Sequence, residues 1–152
     1  MPLYSITAKL DSGASKHYVR PEDKHCLSNI KKVPLTLVGL PDKSSSAITN
    51  VGTMSLSKKL TDQAQAGHIL QDLKSATLLS AGQLCDDDCV VILDKHRARV
   101  QKNNLTILQG YRNKTDNLWD IEMPITAVPT TINHVVNAII RRDKSKKELA
   151  DY

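Results

Sequence analysis

The chain has 152 residues, 40% of them hydrophobic, and a formal net charge of +5, which is enough for one domain with its own core. Phe is absent and Trp occurs once, so the core has to consist of Leu, Ile and Val, which favour strands. Five of the basic residues lie in residues 141–147 and the rest of the chain is close to neutral, which argues against nucleic acid as the partner of the main body.

Three cysteines cannot all pair within one chain, and the sequence has neither a cleavable apolar leader nor a long apolar span. We therefore expect a cytoplasmic protein with no membrane contact. Cys85 and Cys89 bracket three aspartates, but one such pair without a second is weak evidence for zinc. The sequence thus predicts two half-buried thiols beside a solvated acidic turn, with no metal and no cofactor.

The first predicted strand covers residues 1–10 and runs into the triplet Asp11, Ser12 and Gly13. Asp, Ser and Gly in this order are typical of a tight turn. A carboxylate presented from such a turn is also a candidate reactive group. Further along, Pro21 marks a loop or the start of a short helix.

From Val33 the sequence alternates apolar and polar residues on both sides of a Pro-Asp-Lys-Ser-Ser-Ser centre, which predicts a long hairpin with a polar tip. Gly39 and Gly52 lie at its two shoulders, where a glycine in a strand indicates a bulge or a close backbone approach.

Three more strands follow in close succession: "VVIL" at 90–93, "ARVQ" at 98–101 and "LTILQG" at 105–110. Polar turns separate them. After Trp119 we expect a linker, and beyond it an amphipathic helix behind Thr130 or Thr131, with a basic end. The predicted organisation is a body at 1–121 and a linker with a helix or tail at 122–152. The apolar positions of the helix are Ile132, Val135, Val136, Ile139 and Ile140.

The segments "DSGASKH", "VGTMSL", "LLSAGQLCDDDCVVILDKHRARV" and "NLWDI" together resemble the copia-type retrotransposon polyprotein, across its protease and the start of the segment before the integrase. The protease is a retropepsin, the half-sized aspartic protease of retroelements. The resemblance covers residues 8–121. It implies an all-β fold closed into an acid-protease barrel.

The resemblance also implies roles for individual residues. Asp11 would be the catalytic carboxylate, Ser12 would brace the pair of loops, and Gly13 would let the backbone approach. The hairpin from about Val38 to Val51 would act as a flap over the substrate, and the segment "TLLSAGQL" would support the catalytic loop from below. The substrate-binding residues would be Ala14, Gly39, Leu40, Pro41, Ser44 and Ser45.

Peptide hydrolysis by activated water needs one group that accepts a proton and one that donates a proton, and two adjacent carboxylates sharing one proton supply both. The chain carries one Asp-Ser-Gly, so the expected enzyme is a homodimer. Its substrate would be the retroelement polyprotein, cleaved in the cytoplasm or in a virus-like particle.

Two alternatives remain open at this point. Instead of this enzyme, the chain could be an inactive or domesticated retropepsin-like binding module, or a nucleic-acid-binding protein that acts through the basic segment at 141–147. The histidines His17, His25, His68 and His96 are predicted to lie on the surface, with His17 near the substrate.

Overall fold

The computed structural model describes residues 6–40 and 43–123. Within these ranges the chain forms ten strands, two short 3₁₀ helices and one short α-helix, so the all-β prediction is confirmed. The strands are β1 Ile6–Asp11, β2 His17–Val19, β3 Leu27–Gly39, β4 Ser45–Met54, β5 Ala66–Leu70, β6 Thr77–Ser80, β7 Cys89–Leu93, β8 Arg97–Lys102, β9 Leu105–Arg112 and β10 Trp119–Met123. The 3₁₀ helices are Pro21–Cys26 and Gln63–Gln65, and α1 is Ala81–Cys85.

All ten described strands belong to one sheet, in the order β3-β4-β5-β2-β6-β1-β10-β9-β8-β7. Strands β3 and β7 are its two ends, so in the described part of the chain the sheet is open, whereas the family resemblance implies a closed barrel. Strand β3 carries Lys31, Lys32 and Pro34, residue types that keep an exposed strand edge from pairing further.

Strands β7, β8 and β9 follow the predicted pattern. Alternation buries Ala98 and Val100 on one face of β8, and an antiparallel neighbour lies on each side. The turn between β8 and β9 places Asn103 and Asn104 at positive φ, a conformation that Asn tolerates better than most residues. The three strands predicted in close succession, with a turn between each pair, are therefore confirmed as the hairpins β7–β8 and β8–β9.

The core is one large cluster of aliphatic side chains from both halves of the sheet, including Leu79, Val100 and Ile121, each fully buried. Close backbone contact inside the sheet depends on glycine. A Cβ on Gly110 would lie 1.7 Å from the carbonyl oxygen of Asp120 on the neighbouring strand. Gly52 likewise faces Leu27, 2.9 Å from the place of a Cβ, so the close approach predicted there is confirmed.

The linker and the amphipathic helix predicted after Trp119 fall mainly on residues 124–152 and lie outside the described residues. Strand β10 continues through Met123, two residues past the predicted end of the body. None of the helices in residues 6–40 and 43–123 has the length and apolarity needed to cross a membrane.

Candidate active site

Asp11 is the last residue of β1 and opens the loop that leads to β2. Its side chain is half-buried, whereas Ser12 and Gly13 are exposed. The Gly13 N–H donates to Asp11 Oδ1 at 2.7 Å. A Cβ at position 13 would lie 3.3 Å from the same oxygen, so glycine allows this close turn. The carboxylate is thereby fixed at one oxygen and accessible to solvent.

The loop is held between strands that are not neighbours in the sheet. Strand β6 lies between β1 and β2, parallel to β1 with Asp11 opposite Ser80, and antiparallel to β2 with Tyr18 opposite Leu78. The two strands that carry the loop therefore pair with the same third strand, which fixes both ends of the loop relative to one backbone.

Hydrogen bonds from the end of β6 and from α1 hold the far side of the loop. The Ser80 hydroxyl donates to the Ala14 carbonyl at 2.6 Å and accepts the Gln83 N–H at 3.0 Å, which also caps α1. The Gln83 side-chain oxygen accepts the His17 N–H at 2.8 Å. These residues belong to the "TLLSAGQL" segment, so its predicted position beneath the loop is confirmed.

His17 is fully buried, which corrects the prediction of a surface histidine near the substrate. Its Nδ1 accepts the Ser80 N–H at 2.8 Å, and its Nε2 lies 2.7 Å from the Ala64 carbonyl oxygen. Burial lowers the pKa of His17 to about 4, so the ring is neutral at physiological pH. The side chain therefore lies in the interior of the protein, between the end of β6 and the 3₁₀ helix Gln63–Gln65.

His68 also departs from the surface prediction, because it is half-buried. Burial, together with the charge of Lys16, lowers the pKa of the His68 imidazole. His25 and His96 are exposed, as predicted.

The predicted flap is a real hairpin, and it is longer than the segment Val38–Val51. Gly39 pairs with Ser45, and both of these residues, like Ser44, are exposed. The Leu40 N–H donates to the Ser44 carbonyl at 2.8 Å. Pro41 lies outside the described residues. A Cβ on Gly39 would meet none of the described residues within 4 Å, so the close approach predicted at that shoulder is not found among them.

A second apolar cluster joins the hairpin to the Asp11 loop. Ala14 and Tyr18 form this cluster with Ile48, Leu70 and Leu73, and the half-buried Val38 and Leu40 of the hairpin pack against it. Of the predicted substrate-binding residues, the structure therefore brings Ala14 and Leu40 into one cluster. Gly39, Ser44 and Ser45 stay on the outer part of the hairpin.

A cleft of about 420 Å³ lies next to the loop, and its walls include Ser15, Lys16, His68 and Gln83. Asp11 does not line this cleft. The cleft alone therefore does not form a binding site around the Asp11 carboxylate.

Lys9 lies two residues before Asp11 on the same strand, so both side chains project from the same face of the sheet. Its ammonium forms ion pairs with Asp120 and with Asp116, the latter at 2.8 Å. Burial opposes the charge, but the two carboxylates raise the pKa of Lys9 above its usual value. The positive charge nearest to Asp11 along β1 is thus neutralised within the chain.

The sequence predicts an acidic turn at 86–88 in which all three aspartates are solvated, but the structure shows that Asp87 is not. Asp87 accepts hydrogen bonds from Thr61 and from the ammonium of Lys102 at 2.8 Å. The Lys102 contact lowers the pKa of the Asp87 carboxyl.

The two thiols beside this turn also differ from the prediction that both are half-buried, because Cys85 is exposed and Cys89 is buried. No group of three metal-ligating side chains forms within residues 6–40 and 43–123.

Comparison of the chain with known protein families, with curated proteins and with solved structures finds no match.

Proposed function

We propose that the chain is one subunit of a homodimeric aspartic endopeptidase, of the copia-type retropepsin kind, that processes a retroelement polyprotein in the cytoplasm or in a virus-like particle. One observation carries the proposal. The Asp11 carboxylate stands at the end of a strand, half-buried, in a glycine-containing loop that is anchored on both sides. A carboxylate fixed in this way is preorganised, which favours chemistry over a role as a turn residue alone.

The proposed reaction explains why two copies are needed. One carboxylate takes a proton from water while a second, protonated carboxyl donates to the carbonyl oxygen of the peptide. Among the described residues, Gly13 provides the hydrogen bond to the Asp11 carboxylate, through Oδ1. Oδ2 is then left for water and for the equivalent carboxyl of a second subunit placed across a twofold axis.

The exposed apex of the loop supports this arrangement. Ser12 and Gly13 are exposed at the position where the second loop would lie, and Ser12 would brace the pair through its hydroxyl. The hairpin would cover the substrate from above with Gly39, Leu40, Pro41, Ser44 and Ser45. Leu40 lies at the turn of this hairpin and packs against the cluster that contains Ala14, so the turn end of the hairpin is close to the loop.

The chain topology also supports a retropepsin-like fold. A loop bearing an aspartate joins β1 and β2, these two strands flank β6, and a long hairpin, β3–β4, follows the loop in sequence. This is the order of elements that the sequence resemblance implies.

The test measures cleavage of peptides that span the junctions of a copia-type polyprotein. The full chain is compared with the Asp11→Asn variant. We expect the Asn variant to fold and to lose cleavage, because an amide can neither share a proton nor accept one from water. Asp62→Asn is the matched control, because Asp62 is exposed and its side chain caps nothing. We also expect the rate of the parent to fall more steeply than linearly when the enzyme is diluted.

A folded Asp11→Asn chain that cleaves at the parent rate would refute the role of Asp11. A rate strictly proportional to enzyme concentration, from a species that sediments as a monomer, would refute the shared pair of carboxylates.

A further inference from the structure

The buried His17 joins three parts of the chain that are far apart in sequence. Its ring contacts the Ser80 backbone at the end of β6 and the Ala64 carbonyl in the 3₁₀ helix, while its own N–H bonds to Gln83 of α1. The relative exposure of His17 is 0%. Both ring nitrogens and the backbone N–H of His17 are therefore committed to hydrogen bonds.

These contacts fix the protonation state of the ring. Nδ1 accepts an N–H and so carries no proton, and Nε2 carries the single proton and donates it to a carbonyl. A second proton would have to sit on Nδ1, where it would point at the Ser80 N–H, and the bond between them would be lost.

The groups around His17 do not stabilise a positive charge on its ring. The ring bonds to an uncharged backbone N–H of β6 and to an uncharged carbonyl of the 3₁₀ helix, and the group that α1 presents to the backbone N–H of His17 is the uncharged amide of Gln83. From β5 the titratable neighbour is His68, which disfavours a positive charge on His17, and Lys16, the residue just before His17, in turn disfavours a positive charge on His68. Among the described residues, no carboxylate acts on His17.

The bond from Ser80 to His17 is directly connected to the Asp11 loop. Ser80 is the Cα partner of Asp11, and its hydroxyl holds the Ala14 carbonyl at 2.6 Å. A shift of the Ser80 backbone therefore acts on the first residue of the loop and on its fourth residue together.

We propose that His17 is a positioning residue for Asp11 and that protonation of its ring sets the acid limit of peptide cleavage by releasing Ser80 from beneath the loop. The second part of this inference rests on the proposed function of Asp11. The pKa of His17, lowered by burial to about 4, places this limit within the acidic range in which a pair of aspartates sharing one proton works.

The first test observes His17 without any activity. The full chain, labelled with ¹⁵N, is titrated from pH 7 to pH 3.5, and the ring nitrogens of His17 are followed together with the Ser80 and Ser15 amides. The same titration of Asp11→Asn removes any contribution from Asp11 itself. We expect a neutral ring with the proton on Nε2 at pH 7, and we expect both amide signals to move with the midpoint of the ring.

The Ser15 amide belongs to the peptide unit whose carbonyl, that of Ala14, is held by Ser80. A Ser15 amide that does not move while the ring titrates would refute the link between His17 and the loop. A ring whose proton is on Nδ1 at pH 7 would refute the hydrogen-bond pattern on which the inference rests.

The second test uses His17→Asn. The Asn Oδ1 can accept the Ser80 N–H in place of Nδ1 but does not titrate. We expect a lower kcat near pH 5.5 with KM little changed. Below about pH 4 the parent should lose about tenfold in kcat per pH unit, and the variant should lack this loss. The control is His96→Asn, at an exposed position in the turn between β7 and β8.

If kcat falls at low pH in the same way in the parent and in His17→Asn, the fall belongs to the carboxylate pair and the proposal is refuted. If the parent cleaves no peptide, the proposed function of Asp11 fails, and the titration of the ring and the amides still decides the role of His17. If His17→Asn does not fold, the titration of the parent chain still decides the role of His17.

Discussion

Replacing Ser80 by Ala removes both hydrogen bonds of a buried hydroxyl at the base of the Asp11 loop. The hydroxyl donates to the Ala14 carbonyl at 2.6 Å and caps α1 by accepting the Gln83 N–H at 3.0 Å. Loss of a serine cap costs about 1 kcal/mol, and leaving a buried carbonyl without a donor costs about 1–3 kcal/mol. Because Ser80 is fully buried, water cannot replace either partner, and we expect a loss of about 2–4 kcal/mol in the free energy of unfolding.

Urea denaturation at pH 7 measures this loss. With a slope of about 2 kcal/mol per molar urea, the midpoint of Ser80→Ala should fall by about 1–2 M. The matched control is Ser75→Ala, an exposed serine in the connection between β5 and β6, which should unfold at the parent midpoint. If Ser80→Ala also unfolds at the parent midpoint with an unchanged slope, the hydroxyl does not hold the loop and the anchoring described for Ala14 is wrong.

Two further predictions concern stability. The pKa of His17 is about 4 when folded and 6.5 in the ordinary state, so the unfolded chain binds more protons between these values. Unfolding free energy should therefore fall by about 3 kcal/mol from pH 6.5 to pH 4, and His17→Asn should remove most of this slope in urea titrations. Gly110→Ala should lower the unfolding free energy by about 3 kcal/mol or more, because its Cβ would lie 1.7 Å from the Asp120 oxygen. The control is Gly39→Ala, whose Cβ would meet none of the described residues within 4 Å. Equal urea midpoints for the two variants would contradict the close packing described for Gly110.

The parts of the fold that could be predicted from sequence are those with local causes. The strands β7, β8 and β9 follow from alternation over a few residues, and the turn between β8 and β9 follows from adjacent asparagines that accept positive φ. The long hairpin was predicted for the same reason, although its first strand begins at Leu27 rather than at Val33. Bulges in β3 shift its register twice, and they interrupt the alternation that would have indicated the earlier start.

The role of His17 could not be predicted, because its environment comes from distant segments. Ser80 lies 63 positions away and Ala64 lies 47 positions away. Nothing in the polar neighbours of His17 in sequence indicates burial. Asp87 is a similar case, since Lys102 reaches it across the hairpin from β8. In both cases the residue stands beside other polar residues in the sequence, and that pattern is also typical of a surface position.

The position of the anchoring bonds explains how a loop with an exposed apex can hold a carboxylate in one geometry. The bonds lie behind the loop, at Ala14 and His17, while Ser12 and Gly13 at the apex stay uncovered. A single folded chain therefore already orients Asp11 before any second subunit is present. In the proposed dimer, association would have to supply the second carboxyl and the rest of the substrate site, but it would not have to order the loop. The free energy of association is then available for contacts at the apex, because little of it is spent on reorganising the site.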